Sequence, residues 1–156
     1  MGTPLAGPMG KEWFGWPLPA QGLRDRADLI RVAAAFAAAQ LPWAMLRSHV
    51  RFDPAGYVRQ PIYRDDTWEL LLLCWLPGQA TAVHGHDGSS GLVRLLAGTL
   101  EECGYEALDA PRPAHRRTLH GQGLLVELPE TIHRVANAGS TPALSLHLYS
   151  PPLPAR

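Results

Sequence analysis

Lysine is nearly missing from this chain: thirteen of its fourteen cationic side chains are arginine, and the exception is Lys11. Fourteen acidic side chains cancel the fourteen basic ones, so no net field draws the molecule to nucleic acid or an anionic membrane, and binding must be argued locally. Cysteine is equally scarce. Cys74 and Cys103 are too few for a disulfide framework, and Cys74 lies inside an apolar run, where it suits a small hydrophobe; a reducing, cytoplasmic compartment is expected. Long apolar runs are lacking too. Val32 to Ala39 is far too short to span a bilayer, the N-terminal stretch has no signal-peptide core, and Gly2 lacks the hydroxyl residue that myristoylation prefers.

What is present divides in two. At 156 residues the chain fits one domain, with an arm and helical cap over 1–53 and a β-rich part over 54–153. The arm, 1–21, is rich in Pro and Gly and carries Trp13 and Trp16. From Leu23 to Gln40, apolar residues at Leu23, Ala27, Ile30, Ala34 and Ala37, with Val32 and Phe36 widening the stripe, predict a helix ended by Pro42. A second short helix is expected over Trp43 to His49.

After Pro54, short apolar runs are cut by Gly, Pro, Asp and Asn, the pattern of an all-β sandwich or barrel. Strands are expected near Tyr57–Tyr63, Trp68–Leu76, Ala80–His84, Leu92–Ala97, Leu100–Ala107, Arg116–His120, Leu124–Glu127, Ile132–Ala136 and Ala143–Tyr149. The segment Leu108 to His115 reads as a loop.

His84 and His86 stand one residue apart, so on a strand both rings point to one face. Two imidazoles side by side form a chelate suited to Zn, Cu, Fe or Ni; alone, such a pair also fits a solvated strand. The flanking spacing adds to it. Gly78 precedes His84 by five intervening residues, four separate His86 from Gly91, and six lead on to Gly98. This spacing resembles the first motif of the cupin superfamily, except that Gly91 stands where an acidic ligand is usual. Downstream, Gly123, Pro129, His133 and Asn137 resemble the second motif with one residue fewer between Pro and His. Three imidazoles at His84, His86 and His133 would leave positions open on a metal. With no carboxylate among them, the ion's charge would be free to hold an anionic ligand such as a thiolate.

Near the end, Ser145, His147 and Tyr149 alternate with Leu144, Leu146 and Leu148, so hydroxyl, imidazole and phenol share one face and can hydrogen-bond in series. That face either lines a pocket or is wet. Arg59 and Tyr57 form another pair two residues apart, and a guanidinium fork suits a carboxylate. His49, His115 and His120 have no ligand spacing and no metal role is expected of them.

Taken together, YVRQ at Tyr57, LLLCWLPGQATAVHGHDGSSGLVRLLAGTLEE from Leu71 and IHRVANAGSTPALSLHLYSPPL from Ile132 resemble the cysteine dioxygenases of the cupin superfamily, over about residues 55 to 153. The resemblance implies a mainly β fold, a cupin (jelly-roll-like) β-barrel with N-terminal α-helices. It implies non-haem Fe(II) on His84, His86 and His133, and oxidation of cysteine by O2 to cysteine sulfinic acid. It puts Arg59 on the residue that grips the substrate carboxylate, with Tyr57 beside it, and Trp75 on a tryptophan behind the site. Tyr149 falls on the site tyrosine, supported by His147 and Ser145. Mammalian-type members carry a cysteine at the position of Gly91, joined to the tyrosine; no such crosslink can form here. The related 3-mercaptopropionate dioxygenases usually carry Gln at the position of Arg59, and Gln60 is its neighbour in this chain. Another thiol acid as substrate, a different cupin metal chemistry, or ligand binding without turnover remain as alternatives. The expected partners are a small thiol and O2, and the expected state is a monomer or weak oligomer.

Overall fold

The computed structural model describes residues 18–155; Trp13 and Trp16 lie outside them. Two helices, α1 (Arg26–Ala38) and α2 (Trp43–Leu46), with a 3₁₀ turn at Arg47–His49, precede eight strands: β1 (Val58–Arg64), β2 (Glu69–Trp75), β3 (Ser90–Ala97), β4 (Leu100–Tyr105), β5 (His115–Leu119), β6 (Leu124–Glu127), β7 (Ile132–Ala136) and β8 (Ala143–Ser150). They form two antiparallel sheets, one in the order β1-β2-β8-β3-β6 and one in the order β5-β4-β7. The mainly β cupin architecture with N-terminal helices is therefore observed.

The larger sheet is buried on both faces, which is why β2 and β8 are buried along their whole length. On its outer face, Leu70, Leu72, Cys74, Leu144, Leu146 and Leu148 pack against α1. On its inner face, Leu71, Leu73, Trp75, Val93 and Tyr149 meet Leu100, Leu119 and Val135 of the smaller sheet. The alternation in β8 thus separates two chemistries, with leucines toward the helices and the polar side chains toward the space between the sheets.

Helix α1 starts at Asp25, whose carboxylate accepts from the Asp28 amide at 2.8 Å. Its buried face consists of Leu29, Val32, Ala33 and Phe36, while Ile30 is 60% exposed. The stripe expected through Ala27, Ile30, Ala34 and Ala37 is thus turned away from the sheet. Alanines on every side leave the periodicity ambiguous, and burying Leu and Phe at about 1.5–3 kcal/mol each decides the rotation. Asp28 is buried by the same rotation and pairs with Arg24 and Arg31.

A second correction concerns Ala80–His84, which is no strand. This segment runs extended and touches β7 through isolated bridges at Ala80–Ala136 and His84–His133. The segment from Leu108 is a loop as expected, except that His115 already opens β5.

Candidate metal centre

His84 and His133 come from the two motifs and lie directly opposite each other, each backbone amide donating to the other's carbonyl at 2.9 and 3.0 Å. His86 follows two residues later, at a tight turn where Asp87 and Gly88 take positive φ and the Ser89 amide returns to the His86 carbonyl. The three ring centroids form a triangle with sides of 5.2, 4.7 and 4.8 Å, and one ring nitrogen from each lies within 4.8 Å of the others.

The partners of the other ring nitrogens fix the tautomers. His84 Nδ1 lies 2.9 Å from the Ala82 carbonyl, His86 Nδ1 3.1 Å from the Thr131 carbonyl, and His133 Nδ1 3.2 Å from Glu102 Oε1. Each acceptor requires Nδ1 to carry the hydrogen, leaving Nε2 of each ring to face inward. Burial, together with the neighbouring His133 and His86, lowers the pKa of His84 to about 4, so its lone pair is available at neutral pH. Three imidazoles with their outer nitrogens already held fit a transition-metal ion.

Glu102 serves more than one of these groups. Buried on β4, it accepts from His133, from Arg117 Nε at 2.8 Å and from His115 Nε2 at 3.1 Å. Burial alone would raise its pKa, but the His133 and Arg117 hydrogen bonds prevail and hold it at about 2. Gly104, paired with His115 across the ladder, makes room for that ring, since a Cβ there would collide with it. His115 therefore braces the centre one step away from the ligand set.

A cavity of about 130 Å³ adjoins the histidines, lined among others by Tyr57, Arg59, Trp75, His84, His133, His147 and Tyr149. Arg59 lines it and Gln60 does not, consistent with the alternation along β1. Among the described residues Arg59 has no carboxylate partner. Tyr57, just before β1, stacks on Trp75 with centroids 4.6 Å apart.

The β8 side chains form the expected series. Trp75 Nε1 donates to Ser145 Oγ at 2.9 Å, Ser145 Oγ meets His147 Nε2 at 2.7 Å, and His147 Nδ1 meets Tyr149 Oη at 3.1 Å. Trp can only donate, so the order that gives every hydrogen an acceptor runs from Trp75 through Ser145 and His147 to the Tyr149 oxygen. Tyr149 then keeps its own hydrogen to donate, and Glu127 is a hydrogen-bond partner of its side chain. Burial drives His147 down to about 3 and Tyr149 well above its ordinary value, so imidazole and phenol are both neutral. Asn137, by contrast, is a structural clamp: its amide donates to the Trp75 and Thr141 carbonyls, and its Oδ1 accepts from the Gly139 amide.

The sequence reading missed Glu127. At the end of β6, 1% exposed, it faces the histidines, with Oε2 2.8 Å from His86 Nε2 and Oε1 3.3 Å from His133 Nε2. The centre is therefore not free of carboxylate, as had been expected from Gly91. Spacing could not reveal a residue on another strand; the available signal was an acidic residue on the inward face that Leu125 occupies.

A sequence model of the family "Cysteine dioxygenase type I" matches residues 20–156. Cysteine dioxygenase type 1 of Rattus norvegicus is 32% identical over 117 residues, covering 70% of this chain and 57% of that protein. The chain thus spans little more than half the length of that relative. A protein of known structure from Thermus thermophilus has a TM-score of 0.59 and 25% identity, covering 68% of this chain and 93% of that one. An RmlC-like cupin protein from Desulfovibrio desulfuricans has a TM-score of 0.56 at 22% identity, over 67% of this chain and 91% of that one, a likeness of fold.

Proposed function

Because the chain belongs to the cysteine dioxygenase type I family, we propose that it oxidises a small thiol acid, L-cysteine first among them, with O2 to the sulfinic acid, using non-haem Fe(II) held by His84, His86 and His133. One thiol and one O2 give one sulfinic acid, so the reaction needs no further reductant. Bound iron supplies a redox-active centre where thiol and O2 meet, which lowers the cost of bringing them together. The observation that carries the reading is the convergence of three imidazoles beside a small cavity lined by Arg59, which has no carboxylate partner among the described residues.

Each remaining role belongs to a side chain. Arg59 grips the substrate carboxylate by a bidentate, charge-assisted contact. The stacked Tyr57 and Trp75 wall the cavity and keep Arg59's surroundings dry. Ser145 and His147 hold the phenol oxygen of Tyr149 at the cavity, where its hydroxyl can donate to the reacting sulfur or oxygen in exchange for its bond with Glu127. The cavity, at about 130 Å³, suits an amino-acid-sized thiol and excludes a peptide chain. Arg59 rather than Gln60 on the cavity side favours an α-amino thiol acid over 3-mercaptopropionate.

The test is oxygen uptake by the iron-loaded protein with L-cysteine, 3-mercaptopropionate and cysteamine, with sulfinate measured by mass spectrometry. Cysteine is expected to be turned over fastest, cysteamine slowest for want of a carboxylate. Iron-loaded protein that consumes no oxygen with any of the three ends the dioxygenase reading.

A further inference from the structure

The segment that follows β8 reads PPLP, so Leu153 carries the sole backbone N–H between Ser150 and Ala155. Pro151 and Pro154 are exposed, yet Leu153 between them is only 6% exposed. One side chain of a surface segment is turned inward, and it lines the cavity together with Arg59, His84, His133 and Tyr149.

An ion pair fastens it there. The Leu153 amide donates to Glu69 Oε2 at 2.9 Å, and Arg64 Nη2 donates to the Leu153 carbonyl at 3.0 Å. Arg64 Nη1 and Glu69 Oε1, 2.8 Å apart, close the ring. Both backbone polar groups of Leu153 are thus held by the two halves of one pair, which stands on a single rung of the β1–β2 ladder. Apolar contact would bury a leucine without fixing its position; two charge-assisted hydrogen bonds to its backbone fix it, and the flanking prolines leave the segment little freedom.

The clamp also has a defined place relative to the site. Glu69 is the cross-strand partner of Tyr149. Arg59 pairs with Leu73, four residues from Glu69 along β2 and so about 13 Å away along the strand. A thiol acid with its carboxylate at Arg59 therefore has Leu153 at the far side of a cavity of about 130 Å³.

We infer that Leu153 is a specificity-determining residue, the wall that limits the side-chain length of the thiol acid, and that Arg64 and Glu69 are positioning residues acting through it. This rests on the reading of the cavity as the thiol-acid site. A substrate longer by one methylene must displace the leucine, and one methylene in an apolar pocket discriminates by about 10- to 200-fold.

The experiment compares L-cysteine with L-homocysteine, one methylene longer. Anaerobic titration of the Co(II)-loaded full-length protein, followed by the thiolate-to-cobalt absorption band, gives a dissociation constant for each; oxygen uptake by the iron-loaded protein gives kcat/KM. The unsubstituted protein is expected to prefer cysteine, and Leu153→Ala to reduce that preference by about tenfold or more. Leu153→Met, similar in volume, should keep it. Arg64→Ala is expected to reduce it less, with Co(II) affinity unchanged, and Arg64→Lys to restore part of it. A cysteine-to-homocysteine ratio of dissociation constants that is the same in Leu153→Ala as in the unsubstituted protein overturns the proposal, as does an unsubstituted protein without preference. Should Leu153→Ala fail to fold by circular dichroism, Leu153→Val decides by the same ratio. A ratio that shifts in Co(II) binding while the iron-loaded protein consumes no oxygen removes the dioxygenase reading and keeps the wall; Co(II)-loaded protein that binds neither thiol removes both.

Discussion

Glu102 and His133 meet across the β4–β7 ladder, carboxylate to Nδ1 at 3.2 Å, both almost wholly buried. That contact fixes the ring's tautomer and orientation, and two further cationic or donor groups, Arg117 and His115, steady the carboxylate.

Glu102→Ala is accordingly expected to lower metal affinity by about 10- to 100-fold, the usual range for a group that orients a ligand. Titration with Co(II) or Fe(II) under anaerobic conditions measures it. Affinity equal to the unsubstituted protein would show that His133 needs no such support.

Arg59→Ala is expected to raise the concentration of thiol acid needed for half-maximal oxygen uptake by about tenfold to a hundredfold, the equivalent of losing a charge-assisted bond of about 1.5–3 kcal/mol. Metal content should stay unchanged, since Arg59 lies on β1, apart from the histidines. Steady-state oxygen uptake combined with metal analysis separates the two, and an unaltered requirement would remove the carboxylate role.

Gly91→Ala places a methyl group against the Tyr149 ring and Glu127 Oε2. Overpacking of this kind costs about 1–3 kcal/mol, read from the urea midpoint of the metal-free protein. No shift at all would mean that Tyr149 moves freely.

Acidification should destabilise the metal-free protein in two stages. His147 is buried and neutral, with a folded pKa of about 3, so the unfolded chain takes up a proton that the native state refuses. The stability this residue contributes is complete above the unfolded value of about 6.5 and is lost as pH falls from there toward 3. Glu102, held at about 2, contributes stability above the ordinary carboxylate range that disappears as pH falls through its folded value. Urea unfolding at pH 7.5, 5.5 and 4 is expected to show falling stability, and His147→Gln a flatter dependence. A flat profile in the unsubstituted protein would contradict the neutral, buried imidazole.

Local spacing is what made most of the site legible. His84 and His86 two apart, the alternation of Ser145, His147 and Tyr149, and the pair Tyr57 and Arg59 are all short-range patterns, and each side chain points to the cavity side. Glu102 and Glu127 were not legible, because what brings them to the histidines is the register of β4 with β7 and of β3 with β6. Both follow one pattern, an acid on the inward face of a strand whose neighbour on that face is Leu100 or Leu125. The helix face was misjudged for a different reason: a run of alanines carries little orientational information, and the large side chains Leu29 and Phe36 choose the side.

Arg94, on β3 three residues beyond Gly91, reaches outward and donates to the carbonyls of Phe36 and Ala39 at 2.9 and 2.7 Å, the free end of α1. Lifting the helix off the sheet would break both of these charge-assisted hydrogen bonds and leave Arg94 with Gln122 Oε1 at 3.4 Å. Helical layer and barrel are thus expected to melt together in one cooperative step, and loosening at the molecule's periphery would reach the strand that borders the metal centre.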